Sequence, residues 1–146
     1  MAFMEFDPAD SLEKIQSGTR LFAIIIRRNF KKDGIEFFTP PDFSQQLGYM
    51  KHKAGYTIQE HVHELHHRDV SYTQETLFIR KGRVRISFFA DDRTFFTSRE
   101  LMTGDVILLA SGGHGFEFLE ETEMIEVKQG PYCSDKDKVR FEGTRR

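Results

Sequence analysis

Tryptophan is absent from this chain, and cysteine occurs once, at Cys133. A lone thiol forms no intrachain disulfide, so nothing here requires an oxidising compartment. Nor is there a cysteine set for a thiolate-rich structural zinc site. Repeats and low-complexity linkers are also missing, so the 146 residues are expected to form one domain, 1–146. Long apolar runs are lacking, and the longest, Leu21 to Ile26, is far too short to span a bilayer. The N-terminus carries Glu5, Asp7 and Asp10 rather than a basic segment followed by an apolar one, so no signal peptide is expected. An excess of one charge is absent too, and a net charge of −2 gives no reason to expect nucleic acid or an anionic membrane as partner. Taken together, these absences predict a soluble cytoplasmic protein.

What is present favours strands. Phenylalanine occurs 15 times, and Phe with Ile and Val fits a pleated, half-buried surface better than a helix. Residues 7–18 offer an early Pro, acidic residues and a closing Gly18, which suits a short helix or a loose arm, and 1–19 reads as an N-terminal arm. Arg20 to Arg27 is too short and too β-branched for a helix and reads as a buried strand. The basic stretch Arg27 to Gly34 ends in an Asp-Gly turn signal, as at a solvated hairpin end. Ile35 to Phe38 reads as a further short strand, stopped by Pro40-Pro41. Further on, Val84, Ile86 and Phe88 alternate with Arg83, Arg85 and Ser87, and residues 90–93 turn the chain back through Phe95 to Ser98. Gly104-Asp105 leads into the apolar run Val106 to Ala110. Met124, Glu126 and Lys128 alternate with Ile125 and Val127 in a last strand that Gly130-Pro131 ends, and a charged tail fills 133–146. Short strands set between turn signals predict an all-β sandwich or barrel.

Four polar side chains stand in register with the predicted core. Thr57, Gln59, His61 and His63 share parity, so both imidazoles are expected on one face of a strand. Glu75 shares parity with Leu77 and Ile79. His114 follows Gly112-Gly113 and shares parity with Phe116 and Phe118. Buried imidazoles and carboxylates are costly unless paired or liganded. A divalent transition metal (Fe, Mn, Ni or Zn) bound by His61, His63, Glu75 and His114 would resolve all four at once.

The spacing resembles that of the cupin family. Gly55, five residues, His61-X-His63, a spacer, Glu75, six residues and Gly82 follow the order of its first motif. Gly104, an apolar run, Gly112 and His114 follow the second. The resemblance covers about 45–130 and implies a double-stranded β-helix, or jelly-roll barrel, with these four residues as metal ligands. Three positions depart from the pattern: the spacer between His63 and Glu75 holds eleven residues where three or four are usual, Ala110 stands where Pro is usual, and Phe118 replaces Asn. The long spacer leaves His66 or His67 as an alternative to Glu75.

A three-His, one-Glu set leaves open positions for Lewis-acid polarisation, activation of water or dioxygen binding. The resemblance implies a small-molecule metalloenzyme, of oxygenase or isomerase type, acting on a hydroxylated or carboxylated metabolite. Two other outcomes stand beside it: a barrel that captures a carbohydrate-type ligand without turnover, and a metal-free sugar-nucleotide isomerase or epimerase that uses His as a base. In the last strand, Glu126 and Lys128, with Tyr132 beyond them, form an acid–base group if they face inward and an ordinary surface pair if they face out. Arg68, Arg83 and Arg85 lie near the first motif, where an inward Arg could pair with a carboxylate or phosphate, though alternation puts Arg83 and Arg85 in solvent; Tyr49 and Tyr72 are possible proton donors with no spacing argument behind them. A homodimer is implied by the resemblance, with Arg20 to Arg27 as a strand that could exchange or extend a sheet.

Overall fold

A computed structural model of the chain describes residues 11–143. The first part of the expected arm (1–10) and the last three residues of the charged tail lie outside the described residues. Regular structure within them is ten strands: β1 Leu12–Ser17, β2 Arg20–Ile26, β3 Gly34–Phe37, β4 Gly48–Lys51, β5 Glu75–Lys81, β6 Arg83–Phe89, β7 Phe95–Met102, β8 Val106–Leu109, β9 Gly113–Phe118 and β10 Glu123–Lys128, followed by one 3-10 turn at Ser134–Lys136. No helix among the described residues is long and apolar enough to cross a membrane.

The fold is all-β and antiparallel. A five-stranded sheet runs β1-β2-β8-β5-β10, a three-stranded sheet runs β7-β6-β9, and β3-β4 form a separate ribbon. Among the described residues the sheets do not close into a barrel. The two larger sheets instead face each other as a sandwich. Ala23, Ile25, Leu77, Ile79, Ile107 and Leu109 from the first meet Val84, Ile86, Phe88 and Leu101 from the second in one fully apolar core.

The five-stranded sheet is apolar on its outer face as well. Ile24, Ile26 and Leu108 point away from the sandwich into a second cluster, covered by Phe30, Phe38, Phe43, Leu47 and Tyr49 from the β3–β4 region. Burial on both faces is why β2 and β8 read as unbroken aliphatic runs rather than alternating ones.

Three expectations are corrected here. The short helix over 7–18 is replaced, within the described residues, by β1, whose Leu12 to Ser17 pair antiparallel with β2. Six residues gain little as an isolated helix, whereas the free edge of β2 offers them a full ladder and a core position for Ile15, 3% exposed. By the same pairing, β2 lies between β1 and β8 and has no free edge with which to extend a partner's sheet. Finally, 57–63 does not form a strand. Its period-2 pattern meets no strand partner among the described residues, and a single extended segment without a ladder leaves its backbone groups to water.

Candidate functional site

Glu75 opens β5, on the side of Leu77 and Ile79, and so faces into the sandwich at its rim. On neighbouring strands it stands opposite Leu109 and Lys128. His114 is the second residue of β9, opposite Phe88. Gly112 sets its position: with φ of +77° it makes the turn into β9, and a Cβ there would run into the Phe22 ring and the Phe89 carbonyl.

The two residues come from different sheets and meet across the rim, with His114 Nε2 3.5 Å from Glu75 Oε2. Their side chains are 29% and 13% exposed, so both remain reachable from a hollow of about 590 Å³. The His114 ring is the strongest influence on Glu75. It holds the carboxyl below its usual value against burial, and the charges of His114, Lys128 and Lys138 act in the same direction.

The C-terminal segment forms the opposite wall of this hollow. Phe141 packs edge-on against Phe89 with ring centres 5.3 Å apart. Asp137 accepts a hydrogen bond from the Thr73 hydroxyl and pairs with Lys128 at 3.1 Å. Hydrogen bonding to Asp137 raises Lys128, and the Thr73 and Lys128 contacts lower Asp137. Thr73, Asp137 and Phe141 therefore belong to the site, although sequence reasoning assigned 133–146 to a charged tail. Phe141, a lone aromatic in that tail, is the signal that it packs.

The strand β10 resolves the side on which Lys128 lies. Met124 packs against the core while Ile125 and Val127 are about half exposed on the other face, so the even-numbered residues face inward. Lys128 accordingly stands beside Glu75. Glu126 shares that face but is exposed at the sheet edge, and Tyr132 is 86% exposed in a neighbouring hollow lined also by Lys128 and Asp137. Of the two arrangements the sequence left open, Glu126 and Lys128 thus take the inward-facing one, with Lys128 paired to Asp137.

His61 and His63 are exposed, their rings 5.3 Å apart, and His61 Nδ1 lies 2.9 Å from the Gln59 carbonyl. Neither lines the hollow that Glu75 and His114 face. His66 is exposed, and His67 pairs with Asp69 at 3.1 Å in solvent. Arg68 and Tyr72 are likewise exposed, and Tyr49 packs against Phe30 in the outer cluster. As expected, Arg83 and Arg85 lie on the outer face of the second sheet, where they meet Glu100, Glu117 and Glu120.

Among the described residues, no three His, Cys, Asp or Glu side chains converge as ligands of one ion. The nitrogen and oxygen of His114 and Glu75 suit a divalent first-row metal. Together they place one imidazole and one carboxylate at the rim of the hollow. A second hollow of about 450 Å³, between Leu21, Phe43, Tyr72 and Ser111, holds no imidazole and offers less chemistry. Comparison with protein-family models, with curated proteins and with solved structures returns no match to this chain.

Proposed function

We propose that this chain is a metal-binding protein of the cupin type that acts on a polar, hydroxylated or carboxylated small molecule. Glu75 and His114 are the fixed half of its site, and His61 and His63 supply the other half. The observation that supports this reading is the approach of one imidazole and one carboxylate to 3.5 Å at the rim of a hollow with both polar and aromatic walls. A divalent ion bound there supplies Lewis-acid polarisation of a coordinated oxygen. The chain's own contribution is to shape the hollow: Phe89 and Phe141 wall one side, and the Lys128–Asp137 pair sets a polar boundary beside Glu75.

Metal analysis of protein purified without an affinity tag tests this. One equivalent of a first-row divalent ion is expected, lost in His114→Ala and in His61→Ala. Metal-free wild-type protein, with stability unchanged by a chelator, would overturn it.

A second reading takes the Glu75–His114 contact itself as the chemistry. A carboxylate that orients an imidazole makes a general base without metal, as an isomerase or epimerase requires. It predicts that Glu75→Gln impairs ligand turnover while a chelator does not.

A further inference from the structure

From Lys136 to Glu142 the chain reads Lys-Asp-Lys-Val-Arg-Phe-Glu. A charged stretch near a terminus is ordinarily solvated and holds no fixed place. This one is pinned at two points, Asp137 and Phe141. Asp137 accepts from the Thr73 hydroxyl and pairs with Lys128. The Phe141 ring packs edge-on against Phe89 and lies so close to Gly113 that a Cβ there would stand 2.9 Å from it. On its face it carries the Arg93 guanidinium, 5.5 Å from the ring centre.

Between those anchors stand Lys138 and Arg140, and both line the hollow of about 590 Å³ that Glu75 and His114 face. Neither makes an ion pair or a side-chain hydrogen bond with another described residue. Cations elsewhere on the sandwich are matched: Arg83 and Arg85 share Glu100, and Arg27 and Arg99 share Glu13. The hollow's own carboxylates are already engaged, Asp137 by Lys128 and Glu75 by His114. The charge of Lys138 is nonetheless felt at both and lowers each of them, as a cation on the hollow's side of the segment would.

An unpaired cation on a loose tail is served by water and mobile counterions. Two of them held against the wall of a cavity are a preorganised donor set. The anchors have already restricted the backbone, so a ligand need order only the two side chains. Arginine offers a planar fork of N–H donors that fits two oxygens of one oxyanion, and lysine adds a point charge with rotatable donors. We propose that Lys138 and Arg140 bind the oxyanion group, a phosphate or a carboxylate, of a small ligand that fills this hollow. The rest of that ligand extends toward Glu75 and His114, and a cavity of this size takes a metabolite-sized molecule. The inference shares its site with the metal-binding reading and names the charged end of the ligand. The contact itself is made by side chains and needs no metal.

Titration with inorganic phosphate and with succinate, at an ionic strength held constant with chloride, tests this by calorimetry and by amide chemical shifts. Protein as purified is compared with protein treated with a chelator and then freed of it. Saturable binding is expected in both, with shifts concentrated at 73–75, 113–115 and 137–141, and the tighter of the two anions identifies the group. Lys138→Ala/Arg140→Ala is expected to weaken binding about tenfold or more. The control Lys31→Ala/Arg80→Ala removes the same charge from exposed positions outside the hollow and is expected to leave binding unchanged.

No saturable binding by the wild-type protein overturns the proposal, and so does equal weakening in both double variants, which is diffuse attraction only. Binding that vanishes with chelator treatment is coordination to a metal; it overturns the oxyanion contact and leaves the metal reading standing. Binding indifferent to the treatment, in protein that holds no metal as purified, upholds the contact and removes the metal reading.

Discussion

Glu13 sits between two guanidinium groups. Its Oε1 accepts from Arg27 at 2.9 Å and its Oε2 from Arg99 at 2.9 Å, so one carboxylate ties β1 and the end of β2 to β7 in the facing sheet. Burial is the largest single influence and pushes its pKa up, but the hydrogen bonds and charges of Arg27 and Arg99 together outweigh it and leave the value below 4.5. A folded value below the unfolded one means that the ionised group contributes stability in full above the usual carboxylate value. That contribution drains away as pH falls through the lower, folded value. Glu13→Gln is expected to cost about 1–2 kcal/mol at neutral pH and to flatten the acid limb of stability. Urea titrations from neutral pH down through the carboxylate range measure both. Glu75, held low first by His114, titrates with the same sign. Its inward direction was legible, because parity with Leu77 and Ile79 fixed it; its meeting with His114 was implied by the motif resemblance, since no spacing along the chain relates the rims of two sheets.

At the scale of the elements, β2, β5 and β8 carry the sandwich. Ile107 and Ile25 are fully buried between the sheets. Ile107→Ala is expected to cost about 2–5 kcal/mol in chemical denaturation, the range for emptying a close-packed aliphatic site. Strands with apolar runs or strict alternation were readable along the chain, and so were the turns at 90–93 and 104–105, because side-chain direction follows from sequence alone once a segment is extended. The failures share a cause. β1 reads from sequence as a short helix or a loose arm because its six residues have a weak preference of their own and take their conformation from the edge of β2. Residues 57–63 were read as a strand because they alternate, but alternation specifies a face and not a neighbour. The last segment was read as a charged tail because the roles of Asp137 and Phe141 depend on Thr73 and Phe89, far away along the chain.

For the molecule as a whole, the exposed segment from Lys53 to Thr73 predicts a local vulnerability. Lys53 and Arg68 are trypsin sites in that segment, both exposed in a single copy. Limited digestion is expected to cut there before it cuts within the strands of the sandwich, as timed digests read by mass spectrometry would record. The doubly covered sheet has a different consequence. In a sheet with one wet face, sliding a strand by one position would turn greasy side chains outward, and water would forbid it. Ile24, Ile25, Leu108 and Ile107 are all buried, on opposite faces, so sliding β2 past β8 swaps like for like. Alignment must then be enforced by a polar latch, and Asp105 is placed to be one. Only 2% exposed, it accepts hydrogen bonds from the Arg28 and Met102 amides, each at 2.9 Å, and from Arg27 at 3.2 Å. Asp105→Ala is expected to yield doubled amide resonances in β2 and β8, two alignments trading places where the intact chain tolerates one.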